Sequence, residues 1–325
     1  MSNQSKRNNS AMMELNAYLN SLPTDVNKID VSSFSVNQIP DLSRFTHVLE
    51  LRCVYNFSLD HITSLPKTLK ILCLNLNQNL TSLPTLPDSL EELYCRGCLL
   101  TTLPTLPNTL KVLDCSNNIM LSSLPNLPDI LERLLCYNDA LTSLPTLPSA
   151  LKIMQCNDNG LTSLPNLPDT LELLHVNNNE LIALPNLPPN LKTLDCSKNR
   201  LTHLPNLPIC LDNLFCHHNQ LWHFPPLDDH IQLYCRNNPI YERIGRITDM
   251  SNVSEYDYTY TDIIKYKKLM RFQEMFYNIK YKRKFQQWVL RSKETEIMAK
   301  YKPENLFRIL EKMGDKNFQD TLDIW

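Results

Sequence analysis

The sequence predicts an α+β chain in which a solenoid of one short repeated unit is followed by a small α-helical C-terminal region. Two observations predict it. The pair Leu-Pro recurs at Leu83-Pro84, Leu103-Pro104, Leu124-Pro125, Leu144-Pro145, Leu164-Pro165, Leu184-Pro185 and Leu204-Pro205, in steps of 20 or 21 residues. After Asn238 the composition shifts from Leu, Pro and Asn toward Lys, Tyr and Phe. A unit this short cannot bury an apolar face alone, so successive units must stack.

One full unit reads Leu103-Pro-Thr-Leu-Pro-Asn-Thr-Leu110-Lys-Val-Leu113-Asp-Cys115-Ser-Asn-Asn118. Its Leu-Pro-x-Leu-Pro half cannot be a helix interior. Proline has no N–H, and it pushes the preceding residue out of the α region. An extended, polyproline-like return follows, compact enough to allow 20-residue turns. The other half alternates like a strand from Val112 to Ser116. Leu113 and Cys115 are then inward, and Val112, Asp114 and Ser116 outward. Irregular units open at Ile39-Pro40, Leu65-Pro66 and Phe224-Pro225.

The segment Leu-x-x-Leu-x-Cys-x-x-Asn resembles the leucine-rich repeat. The Leu-Pro-x-Leu-Pro return is similar to the short subtype found in secreted bacterial effectors. The resemblance covers residues 39–240, about ten units of 20–21 residues. It implies short parallel strands on a concave face and extended returns on the convex side.

Two inward columns are nearly invariant. The first is Cys53, Leu74, Cys95, Cys115, Cys136, Cys156, Val176, Cys196, Cys216 and Cys235, which takes up eight of the 11 cysteines. Exchange with Leu and Val marks a small buried hydrophobe rather than a redox or metal site. The second is Asn56, Asn77, Cys98, Asn118, Asp139, Asn159, Asn179, Asn199, Asn219 and Asn238. An amide both donates and accepts, so it can satisfy backbone groups exposed where the chain leaves the strand. Asp139 departs from the pattern, because an ionised carboxylate cannot donate.

The outward columns vary, and there a partner has room to bind. One runs Arg52, Cys73, Tyr94, Asp114, Leu135, Gln155, His175, Asp195, Phe215, Tyr234. The next runs Val54, Asn75, Arg96, Ser116, Tyr137, Asn157, Asn177, Ser197, His217, Arg236. Tyr and Arg are enriched at interface hot spots. The candidate partner-binding residues are therefore Arg52, Tyr94, Arg96, Asp114, Tyr137, Gln155, His175, Asp195, Phe215, His217, Tyr234 and Arg236. The bland alternative is a solvated sheet face of strand-favouring side chains.

The ends differ from the array. Residues 1–10 are polar and read as disordered, and 11–38 as a helical N-terminal cap, with Met12, Met13, Leu15, Tyr18 and Leu19 at helical spacing. Residues 241–261 read as a linker and 262–325 as helical. From Tyr241 to Trp325 there are 17 Lys and Arg against 13 Asp and Glu, leaving 15 against 21 for the rest. Lys280, Lys282, Arg283 and Lys284 interleave with Tyr281, Phe285 and Trp288. They could meet nucleic acid or an anionic membrane, or simply stay solvated while the aromatics pack. The run Tyr301-Lys302-Pro303-Glu304-Asn305-Leu306, with Trp325 at the end, resembles segments in proteins of giant DNA viruses of amoebae. That resemblance implies a viral protein acting in a host cytoplasm or carried in the virion.

Several function classes are excluded. Four scattered glycines cannot form a phosphate-binding loop or a dinucleotide fingerprint. The polar start lacks a signal-peptide core and no apolar run reaches 18 residues, so the expected setting is cytoplasmic and reducing. His203, His217, His218, His223 and His230 lie near Cys210, Cys216 and Cys235 in sequence, but the repeat scatters them over opposite faces. No metal or other cofactor is expected. Effectors of the same subtype often carry a cysteine-dependent ubiquitin ligase domain, whereas residues 241–325 contain neither Cys nor His. The expected function is a non-enzymatic protein-binding scaffold using the concave face. The alternatives are an adaptor using both ends, or a nucleic-acid or membrane binder using the basic helices.

Overall fold

The computed structural model describes residues 3–228 and 230–240. The expected linker at 241–261, the helical region at 262–325 and the basic cluster at Lys280, Lys282, Arg283 and Lys284 lie outside the described residues. Met1–Asn238 form one compact unit.

That unit opens with helix α1, Asn3–Ser21, followed by β1 (Lys28–Asp30), β2 (Gln38–Ile39), β3 (Glu50–Arg52), β4 (His61–Ile62), β5 (Ile71–Cys73) and β6 (Glu92–Tyr94). The regular array continues through β7 (Val112–Asp114), β8 (Arg133–Leu135), β9 (Ile153–Gln155), β10 (Leu173–His175), β11 (Thr193–Asp195), β12 (Asn213–Phe215) and β13 (Gln232–Tyr234). Eleven strands form one sheet in the order β1-β3-β5-β6-β7-β8-β9-β10-β11-β12-β13, and β2 pairs with β4 on the return side.

The boundaries differ from the expected ones in three places. Helix α1 starts at Asn3 rather than Ala11. Residues 3–21 contain neither Gly nor Pro, so nothing stops the helix before Leu22-Pro23. The polar first turns simply carry no apolar period to read. The sheet starts at Lys28, ahead of residue 39, because the first turn has a strand but no Leu-Pro return. The strand in the quoted unit ends at Asp114 rather than Ser116, although Cys115 N and Asn117 N still donate to Leu135 O and Tyr137 O at 2.9 and 2.8 Å.

Helix α1 buries Leu15 and Leu19. Tyr18 packs on Phe34 with ring centroids 5.5 Å apart. The Arg44 guanidinium donates to Leu19 O and to Asn20 Oδ1, placing a cation at the helix's negative C-terminal end.

Every pairing in the large sheet is parallel and in register. One leucine row runs Leu93↔Leu113↔Leu134↔Met154↔Leu174↔Leu194↔Leu214 through neighbouring strands. Each of these side chains is fully buried, as is the cysteine or valine two residues on. After each strand from β6 to β13 one residue turns left-handed: Gly97 (φ 69°), Asn117 (58°), Asn138 (55°), Asp158 (55°), Asn178 (55°), Lys198 (51°), His218 (55°) and Asn237 (54°). Asn and Asp tolerate that region better than other L residues, which accounts for most of the column.

The turn exposes backbone groups inside the coil, and the next residue satisfies them. Asn199 Nδ2 donates to Val176 O at 2.9 Å and Cys196 O at 3.1 Å, while its Oδ1 accepts from Leu181 N at 3.0 Å. Asn179 and Asn219 repeat the pattern. Each amide therefore ties its own turn to the one before. A hydroxyl ladder does similar work at the foot of the returns, where Thr109 Oγ1 lies 2.7 Å from Asp88 O and 2.8 Å from Leu90 O.

A charge ladder accompanies them on the surface. The residue just after the first leucine of each strand half reads Lys70, Glu91, Lys111, Glu132, Lys152, Glu172, Lys192, Asp212. Lys70 and Lys111 both reach Glu91 at 2.8 Å, Lys152 reaches Glu132 at 2.8 Å and Lys192 reaches Glu172 at 2.7 Å. The hydrogen bonds from Lys111 and Lys70 hold the Glu91 carboxyl down at about 2.

Two outcomes follow for stability. Asn199→Ala should cost about 1–3 kcal/mol in urea unfolding, because it leaves two buried carbonyls and an N–H unpaired, whereas Ser163→Ala on the exposed return should cost little. Glu91 has a folded pKa below its ordinary one. Its stabilisation is therefore present above about pH 4.5 and is lost as pH falls toward 2. Glu91→Gln should accordingly flatten the acid limb of a melting-temperature profile, and added salt should shrink the difference.

Candidate binding face

The register places the first outward column as one continuous row, Cys73↔Tyr94↔Asp114↔Leu135↔Gln155↔His175↔Asp195↔Phe215↔Tyr234. Arg52 lies one strand earlier, opposite Cys73. Adjacent strands are about 4.8 Å apart, so neighbouring side chains in the row touch. The predicted residues share one face, but they are not equally available on it.

Arg52 is exposed and paired with Glu50. The Tyr94 hydroxyl donates to Glu92 Oε2 at 2.8 Å, and burial followed by that carboxylate pushes the phenol up to about 12. Arg96 and Tyr137 belong to the turns on either side of Ser116. They meet above it, with the guanidinium 5.4 Å from the ring centroid.

This bridge accounts for a departure from expectation. Ser116 was placed on the surface by alternation, yet it is fully buried, and Asp114 is only 8% exposed. The Asp114 carboxylate accepts from Ser116 N at 3.2 Å and from Ser116 Oγ. Asp195 and Ser197 repeat the arrangement at 3.0 and 2.6 Å, with Ser197 3% exposed. A small side chain between two large ones is covered whatever its parity. Asp114 is therefore committed to the backbone, and Asp195 is half-buried beside its serine.

Toward the C-terminal end the face becomes aromatic and imidazole-rich. Phe215 and Tyr234 stack with centroids 4.6 Å apart and planes 9° apart, and Tyr234 is 38% exposed. His175 sits 3.4 Å from Gln155, and burial holds its imidazole below the ordinary value. Burial does the same to His217. Its Nδ1 is buried without a hydrogen-bond partner among the described residues, and its ring meets His218 edge-on at 5.3 Å. Arg236 is exposed at the end of the second column.

Sequence reasoning passed over other exposed apolar side chains. Tyr55 and Phe57 form an edge-on pair on a loop, 49% and 51% exposed, while Ile182 and Trp222 stand where most turns have threonine. The signal was the break in each column. Among the described residues no three His, Cys, Asp or Glu side chains converge where they could hold a metal ion. No helix among them is long and apolar enough to cross a membrane.

No protein-family model matches the chain, and no curated protein does. Solved structures do match. YopM from Yersinia enterocolitica WA-314 is similar over 67% of this chain and 51% of its own, at 30% identity and a TM-score of 0.55. YopM of Yersinia pestis, described as a leucine-rich effector protein, is 26% identical over 66% of this chain and 84% of its own, with a TM-score of 0.33. The fold is a leucine-rich repeat solenoid. A Shigella effector leucine-rich repeat domain is 30% identical over 55% of this chain and 76% of its own, with a TM-score of 0.40. The chain spans about half the length of the Yersinia enterocolitica protein.

Within the leucine-rich repeat array none of the 11 cysteines forms a disulfide. Burial raises the Cys95, Cys115 and Cys216 thiols well above their ordinary value. In Cys136 the first cause is its hydrogen bond with Cys156, followed by burial. Thiolates react and thiols do not. Titration of the native protein with an aromatic disulfide at pH 8 should modify Cys210, which is exposed, and more slowly Cys73, which is half-buried. The remaining nine should react only after unfolding, and early reaction of more than two thiols would contradict the buried ladder.

Proposed function

We propose that the strand face of this leucine-rich repeat array, its concave side, is a protein-binding surface and that the chain is a non-enzymatic scaffold. The observation that carries this reading is the Phe215–Tyr234 stack, two large rings held against each other on the open face of a sheet. Rings fixed in this way offer a partner a large contact area at low entropic cost, which is why aromatics anchor interfaces. His217 beside them brings a buried nitrogen with no bond of its own.

The contact residues in this reading are Tyr234, Phe215, His217, Arg236, His175, Gln155 and Asp195 toward one end. Arg52, Tyr94, Arg96 and Tyr137 lie toward the other. Asp114 acts beneath them by holding Ser116. The likeness to bacterial effectors supports a protein partner, and the C-terminal sequence supports a viral chain acting in a host cytoplasm. The adaptor reading needs residues 241–325 together with the repeats, and the nucleic-acid or membrane reading draws on residues 241–325 alone.

The test is a quantitative pull-down from host-cell lysate using the full chain, a Phe215→Ala/Tyr234→Ala form and a form with Lys280, Lys282, Arg283 and Lys284 changed to alanine. We expect a retained protein to fall at least about tenfold with the aromatic pair, a loss of about 1.4 kcal/mol or more, and to persist when the four basic residues are changed. Retention that follows the basic cluster, or that falls steeply with salt and is destroyed by nuclease, overturns the reading.

A further inference from the structure

We propose that Asp139 is a proton-operated joint in the asparagine ladder, closing the junction between neighbouring turns when its carboxyl is protonated and loosening it when ionised. The geometry comes from the ladder itself. Asn118, one turn earlier, donates Nδ2 to Cys95 O at 3.0 Å and to Cys115 O. Asn159, one turn later, donates to Cys136 O at 2.8 Å and Cys156 O at 3.2 Å. Asp139 stands between them in the same column, so its register partners are the carbonyls of Cys115 and Cys136.

One half of its side chain behaves as an asparagine would. Asp139 Oδ1 accepts from Asn118 N at 2.6 Å, as Asn77 Oδ1 accepts from Asn56 N at 2.8 Å. The other half does not. Oδ2 takes the place of the donating amide nitrogen, is buried, and has no hydrogen-bond partner among the described residues. An oxygen facing carbonyls can make a bond there only if it carries a hydrogen. A proton from solvent supplies it, the O–H donates to a carbonyl, and the carboxyl becomes the functional copy of an amide.

Of the groups that act on this carboxyl, only the Asn118 N–H favours its charged form. Asp114 lies near it, and the thiols of Cys95, Cys115 and Cys136 sense it. Burial pushes the carboxyl up to about 7, Asp114 adds to the rise, and the bond from Asn118 opposes it. The folded pKa thus lies above the ordinary value of 3.8. Stabilisation from this site is complete below about pH 4 and is lost as pH rises through about 7. The transition falls across neutral pH, in the middle of the array rather than at a frayed end.

The experiment is amide hydrogen exchange on the full chain at pH 5 to 8, corrected for the intrinsic rate, comparing wild type with Asp139→Asn. In wild type, opening at the Asn118 amide should rise by up to about tenfold per pH unit and level off above neutral. In Asp139→Asn it should be flat and at the low-pH level. Asp114→Asn should keep the rise and move its levelling-off to lower pH, because the charge that adds to the rise is gone. A wild type without slope, an Asp139→Asn form with the same slope, or an Asp139→Asn form that does not fold would each overturn the joint, since an amide must replace a protonated carboxyl.

Discussion

The structure depends on how the chain leaves each strand. Ten or so times it turns sharply into a left-handed residue and back, and every time it leaves backbone carbonyls and an N–H facing the inside of the coil. Buried and unpaired, each such group costs on the order of 1–3 kcal/mol. At Asn179, Asn199 and Asn219 the ladder amide satisfies three of them at once, from two successive turns. Asparagine is the shortest side chain able to do this, with an acceptor and a donor on one rigid amide. The leucine row and the cysteine row can close-pack only because this corner is settled. Small apolar side chains, mostly thiols, fit beside it, with Leu74 and Val176 taking the same place in two turns.

Stacking of this kind makes energetics local. Each turn contacts the turns before and after it, so stability is a sum of nearest-neighbour terms. The surface ladders follow the same rule. Lys70, Glu91, Lys111, Glu132, Lys152, Glu172, Lys192 and Asp212 alternate in sign, so every neighbouring pair attracts, and a slip of one turn would set like charge on like. The ion pairs are exposed and individually weak. Their value lies in specifying which turn is next to which, in an array whose cores are nearly interchangeable.

The sequence made the inside legible and the outside only partly so. Inward positions repeat every 20 or 21 residues, and the repetition itself identifies them. Leu113, Cys115 and Asn118 are all fully buried, as their columns require. Parity then assigns the remaining positions outward, but parity says nothing of size. Ser116 and Ser197 are covered because their neighbours across the sheet are Arg96 and Tyr137, or Asn177 and His217, and a three-dimensional crowding effect of that kind has no period to detect. The start of α1 was hidden for a related reason. Its first turns are polar, so helix-compatible residues there carry no apolar rhythm, and only the lack of Gly and Pro permits the helix.

The same contrast separates structure from function on the strand face. A position shared by ten turns and held constant is constrained by packing, while a position that varies is released from it. Variation alone does not make a binding site, and Asp114 shows why: it varies from its column, yet its carboxylate is consumed by Ser116. What distinguishes the C-terminal end is that its side chains are organised beyond what the fold needs. A solvated sheet face does not require two rings stacked at 9°, nor an imidazole nitrogen buried without a bond, and it gains nothing from keeping Tyr234 one-third exposed. The unbonded nitrogen and the exposed ring surface cost solvation in the free protein. A partner that covers the rings and bonds the nitrogen would recover that cost, and this asymmetry, rather than the presence of aromatic residues, directs attention to one end of the array.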